Sequence, residues 1–153
     1  MDRLATERPL AAWATLVHAH ASVVEAVEER LMAEAGLPLP WHEVLVRVSR
    51  AGQQMMRMRE LARSVLLSKS GLTRLADRME QAGLIERRAC PSDRRGIFIG
   101  ITDRGREALA RAEPVFLAAV REHLTDRLSH EELDNLVALL ERVRGPASVE
   151  TSA

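Results

Sequence analysis

The chain has 153 residues, with 22 Lys or Arg balanced by 22 Asp or Glu, a single cysteine and 3% aromatic residues. That length gives one domain, or one domain with a helical extension. The composition excludes an internal disulfide and argues against stacking on single-stranded bases. No apolar run reads as long enough to span a bilayer and the N-terminus lacks a signal-peptide pattern, so a reducing cytoplasm and no membrane are expected.

The first predicted element is a long helix from Pro9 to Gly36, with proline near its start and glycine as its stop. At 100° per residue, Leu10, Trp13, Leu16, Val17, Val23, Val24, Val27 and Leu31 share one broad face with His20 near its middle. A second helix spans about Pro40 to Ala51 and buries Trp41, Val44, Leu45 and Val48. MRMRELARS (56–64) supplies a short third helix, and SKSGLTRLADRMEQAG (68–83) a fourth, capped by Ser68 and stopped by glycine. LIERRACPSDRRGIFIGIT (84–102) then predicts two strands around a Pro-Ser-Asp-Arg-Arg-Gly turn. Thr102 caps a further helix to about Leu128, which Pro114 is expected to bend or interrupt. The final helix, Ser129 to Val143, opens on a capping box (Ser129-His130-Glu131-Glu132) and carries a narrow seam of Leu133, Leu136, Leu140 and Val143 with Val137 beside it. Residues 146–153 are expected to be a flexible tail.

Charge is unevenly placed. Between Met55 and Arg106 twelve Arg or Lys face six acids, an excess of six positive charges that the flanks offset. A basic centre between acidic arms is the footprint of a localised phosphate contact. A helix-turn-helix followed by a basic ribbon suits duplex DNA, with the second helix in the major groove and the ribbon across the backbone. On that helix, Leu72, Leu75, Ala76 and Met79 form the inward stripe; Ser70, Arg74, Asp77 and Gln81 lie opposite, flanked by Thr73 and Arg78. Ser68 as N-cap leaves amides for a phosphate, and Lys69 and Arg78 read as phosphate clamps. Thr73 meets a thymine methyl or a phosphate, and Arg74 is the candidate for bidentate contact with guanine. In the ribbon, one of Arg94 and Arg95 pairs with Asp93 and stiffens the turn while the other reaches into the minor groove; the sequence leaves open which.

The run Arg59–Gly105 closely resembles the winged helix-turn-helix of the MarR (multiple-antibiotic-resistance regulator) family. The resemblance rests on ELA (Glu60–Ala62), SxSGLTRLxDRME (Ser68–Glu80), GLIxRR (Gly83–Arg88), DRRG (Asp93–Gly96) and IT-x-x-G (Ile101–Gly105). Ile101 stands where leucine is usual, and Cys90-Pro91 precede the wing aspartate where many members carry an acid. The resemblance implies a mainly α fold. In it, residues 38–105 form a winged helix-turn-helix with a two-stranded β wing, and residues 1–37 and 106–145 form a helical dimerisation region. It also implies a bacterial, homodimeric transcription factor, usually a repressor, released from a palindromic operator by a small ligand or by oxidation. Effectors in the family often bind between the dimer helices and the reader, where Trp13, His20, Trp41, His42 and Met55 are candidates for a pocket suited to an aromatic ligand. A wedge there would act through the short connections around residues 52–58 and 102–106.

Two alternatives remain. Cys90, in a loop beside Arg87 and Arg88, suits a redox-responsive regulator because neighbouring cations favour a thiolate. A winged-helix protein-interaction module would present a neutral recognition face, which the arginines oppose. No metal site is expected, since His18 and His20 point about 160° apart on a helix and His42, His123 and His130 have no partner at ligand spacing. No cofactor is expected, and no glycine-rich phosphate loop, GxSxG or HExxH suggests an enzyme.

Overall fold

The computed structural model describes residues 3–65, 69–90 and 93–145, with the side chains of 3–6, 69–70, 90 and 93–95 left aside. In chain order the elements are α1 (Arg3–Ala35), α2 (Leu39–Arg50), β1 (Met55–Arg57), α3 (Met58–Ser64), α4 (Lys69–Gln81), β2 (Ile85–Cys90), β3 (Asp93–Ile101), α5 (Asp103–His123) and α6 (His130–Arg144).

α1 starts earlier than expected and contains Pro9 instead of beginning with it. The cost is one backbone hydrogen bond, in a stretch where every residue from Glu7 to Ser22 is exposed. The broad apolar face divides in two. Val27 and Leu31 are buried where α1 packs on α5, and Arg30 there reaches both Glu34 (2.9 Å) and Glu122 (2.7 Å). Leu10, Trp13, Leu16 and Val17 remain exposed, Trp13 by 68%. The expectation that no apolar run is long enough to span a bilayer is corrected here. By length and composition Glu7–Ala35 would suffice, although its second half is engaged with protein.

Gly36 ends α1 at a positive φ of 62°, and α2 then buries His42, Val44, Leu45 and Val48. A tight turn at Gly52–Gln54 holds Gln53 and Gln54 in left-handed conformations, at φ of 57° and 54°. β1 follows and adds a third strand beside the expected two-stranded wing, in an antiparallel sheet of order β1-β3-β2. Three residues are too few to show a period of two, which hid β1 from the sequence. In the sheet, Ile85 faces Ile101 and Arg87 faces Ile99, while Met56 lies across from Ile99 on the other side.

α5 runs uninterrupted through Pro114 and stops at His123, short of Leu128. Ala110, whose carbonyl loses its helical partner to that proline, is exposed and can bond water. Its start is tied down. The Thr102 hydroxyl donates to the Gly83 carbonyl (2.6 Å) and accepts from the Gly105 N–H (3.0 Å), and the Thr102 N–H donates to the Leu84 carbonyl (3.1 Å). α6 opens on the expected capping box, with Ser129 accepting from the Glu132 N–H and Glu132 accepting from the Ser129 N–H. It buries none of its residues, and Val137, Leu139, Leu140 and Val143 are exposed.

One apolar core joins α1, α2, α3, α4, the sheet and α5, from Val27 and Leu31 to Ala112 and Ala119. The reader and α5 therefore share an interior. At the seam His42 is buried, its ring stacked on Phe116 (4.4 Å between centroids) and its Nε2 3.1 Å from a Glu113 carboxylate oxygen.

Candidate nucleic-acid interface

α4 is amphipathic by residue choice and by placement. Leu72, Leu75, Ala76 and Met79 are all buried, while Thr73, Arg74, Arg78 and Gln81 are exposed. The helix closes at Gly83, whose φ of 73° is the left-handed geometry glycine supplies, and the Leu84 N–H returns to the Met79 carbonyl (3.0 Å). Arg47 on α2 donates through Nε and Nη2 to the Ser64 carbonyl (2.9 and 2.5 Å), holding the last turn of α3 just before the segment that leads into α4. The predicted cap Ser68 lies outside the described residues. Lys69 and Ser70 form the first turn of α4, and their side chains also lie outside.

The wing is the β2–β3 hairpin. Asp93, Arg94 and Arg95 belong to β3 rather than to a turn, with Asp93 in register with Cys90 and an irregularity between Ala89 and Cys90. The side chains of these three are outside the described set, so the division of labour between the arginines is not addressed by contacts.

Cys90 is corrected from loop to the last residue of β2. The two cations expected to favour its thiolate are engaged elsewhere: Arg88 pairs with Glu86 (2.5 Å), and Arg87 with both Asp77 and Glu80 (2.6 Å each). Burial alone would lower the Arg87 pKa, but the hydrogen bonds and charges of the two carboxylates outweigh it and the net direction is upward. Arg87 is thus a fixed cation. Asp77, grouped by sequence with the outward face, turns toward β2 to meet it. The signal was present in LIERR, because a period of two puts Arg87 on the same face as buried Ile85, where a charge needs a partner.

The five pocket candidates fall in different surroundings. Trp13 and His20 are exposed on the free half of α1; Trp41 packs partly buried against the core; His42 is inside it, its Nδ1 without a hydrogen-bond partner. Met55 lines a cleft of about 360 Å³ with Gln53, Gln54, Arg88, Thr102 and Arg106. There the two connections meet, since Arg106 donates to the Gln54 side chain (2.8 Å) and the Ile101 carbonyl (3.2 Å) and pairs with Asp103. Among the described residues no group of three or more His, Cys, Asp or Glu is arranged to hold a metal.

This arrangement is similar to that of known proteins. Residues 35–96 match the profile of the MarR family. AbsC, a MarR family transcriptional regulator from Streptomyces coelicolor, is 34% identical, with 88% of this chain and 90% of that chain covered and a TM-score of 0.83. A second regulator of that family from Streptomyces coelicolor, solved in complex with DNA, is 29% identical, with 94% and 92% covered and a TM-score of 0.84. BpsR of Bordetella bronchiseptica, whose DNA binding is regulated by 6-hydroxynicotinic acid, shares the fold at 16% identity, with 88% and 99% covered and a TM-score of 0.78.

Proposed function

The chain belongs to the MarR family of transcriptional regulators, DNA-binding proteins and not enzymes, and on that premise we propose that it is a homodimeric repressor. In this reading it binds a palindromic operator through α4 and the wing and leaves it when a small ligand binds. The observation that carries the reading is the exposed Thr73, Arg74 and Arg78 on a helix whose opposite face is wholly buried, beside a hairpin carrying Arg94 and Arg95. Arg74 reads a base edge; Lys69 and Arg78 hold phosphates, Thr73 meets a thymine methyl or a phosphate, and Ser70 lies on the same DNA-facing side, with Ser68 as the cap; one wing arginine enters the minor groove while Asp93 steadies the other. Residues 1–37 and 106–145 form the dimerisation region around a reader of residues 38–105. The relative solved with DNA supports the duplex partner, and the exposed apolar side chains of α1 and α6 support a second copy.

The ligand reading is favoured by the cleft at Met55, which sits on both connections between reader and dimer helices. Trp13 and His20 join a pocket there only if a partner protomer covers them. Sequencing random duplexes retained by the purified protein, followed by binding across a salt series, tests the function. An inverted repeat and an affinity that falls steeply with salt are expected. Salt-insensitive binding without a selected sequence would leave a protein-interaction module. Release from the selected operator by aromatic acids or phenols tests the ligand. Release by peroxide that vanishes in Cys90→Ser would favour oxidation.

A further inference from the structure

The hairpin leaves the body of the protein at one identifiable residue. Along β2, Ile85 is buried opposite buried Ile101, and Arg87 lies two residues on opposite buried Ile99. The next inward pair, Ala89 and Ile97, is already exposed. Beyond Arg87 no described residue on that face of the wing is buried. Arg87 is also bound to α4 at several points. Its guanidinium meets Asp77 and Glu80 at 2.6 Å each and the Thr73 carbonyl at 3.4 Å, and its N–H donates to Glu80 at 3.0 Å. Thr73, Asp77 and Glu80 recur at steps of four and three, so the contacts run along two turns of one helix face.

We propose that Arg87 is a positioning residue that locks the root of the wing to α4, so that engagement of one DNA groove fixes the geometry offered to the other. The proposal rests on the reading that α4 and the wing both meet DNA. An unlocked wing must lose orientational freedom on binding, which lowers its effective concentration at the second groove.

The sign of one measurement separates this role from ordinary electrostatics. Asp77→Asn and Glu80→Gln each remove a negative charge from the reader, which on charge alone tightens binding to a polyanion. The lock predicts the reverse: each variant of the full-length protein weakens binding to the selected operator by about fivefold or more, the size of coupling found within one ion-pair network. In an Arg87→Met background the loss caused by Arg94→Ala with Arg95→Ala shrinks, while the loss caused by Arg74→Ala is unchanged. Arg87→Lys, which keeps the charge but not the fork, lies between. All are compared at equal helicity by circular dichroism; if Arg87→Met does not fold, the carboxamide variants carry the same cycle. Equal or tighter binding by both carboxamide variants overturns the proposal. So does an Arg87→Met salt slope smaller by about one with additive wing losses, which marks Arg87 as a phosphate contact. Wild-type binding by the Arg74 and wing variants would instead reject the reading beneath it.

Discussion

At the first turn of α5, a Cβ on Gly105 would lie 2.1 Å from the Leu84 carbonyl oxygen and 2.9 Å from the Ile101 side chain. Backbone occupies that space, so no rotamer change relieves it. Gly105→Ala is expected to cost about 1–3 kcal/mol or more, read as a lower denaturation midpoint; an unchanged midpoint would mean that α5 shifts freely. Thr102→Val should cost about 0.5–2 kcal/mol as a lost cap. Thr102 was legible in the sequence as a helix cap and Gly105 only as part of IT-x-x-G; together they bind the start of α5 to the turn between α4 and β2. Arg74 is exposed as its place in the periodicity implied. Arg74→Ala is expected to relax preference at one base position and weaken specific binding by about 1–3 kcal/mol. Retained sequence preference would reassign Arg74 to the backbone. Arg87 was the residue hardest to place, because the count of positive charge treats every arginine alike and only strand alternation reveals which one points inward.

Among the elements, those with a long hydrophobic period were legible and those without one were not. α4 carries buried Leu72, Leu75, Ala76 and Met79 at helical spacing, and its stripe was clear. β1 is three residues long and owes its existence to pairing with β3, a tertiary cause no local window contains. Pro114 does not interrupt α5, because its effect depends on whether the carbonyl it strands reaches water. α6 is the element whose end is set by a titrating group. The Ser129 N–H, and after it the Ser129 hydroxyl, hold the Glu132 carboxyl below its ordinary value. A folded pKa that is depressed gives a stabilisation that is complete above the unfolded carboxylate range and is lost as pH falls through the lowered value. Protection of the first-turn amides of α6, taken relative to the intrinsic exchange rate at each pH, is therefore expected to fall on acidification through that range, and to lose this dependence in Ser129→Ala. Protection that is flat with pH in the wild type would remove the capping box from any part in holding the helix.

At the scale of the whole molecule, the exposed halves are the feature to explain. Leu10, Trp13, Leu16 and Val17 on α1, with Leu140 and Val143 on α6, leave apolar side chains in water that a second protomer would cover. Truncation before Ser129 is expected to convert a dimer into monomer or aggregate in light scattering; an unchanged soluble dimer would end the assignment of α6 to the interface. With two-fold symmetry the half-site centres should lie about one helical turn, roughly 10 bp, apart. Footprinting of a selected operator measures that spacing directly, and protection of a single half-site would contradict it.

The shared interior has a mechanical corollary. Because His42 stacks on Phe116 and the core runs from α1 through α4 to α5, a swivel of the reader as a separate body would have to break that shared packing. In the proposed dimer each copy would then move as a lever. α1, at 33 residues, is about 50 Å long. A tilt of about 5° at its free half would carry the far end through about 4 Å, a third of the width of a major groove. Small changes in how two levers cross would then be enough to put a pair of recognition helices in or out of step with DNA.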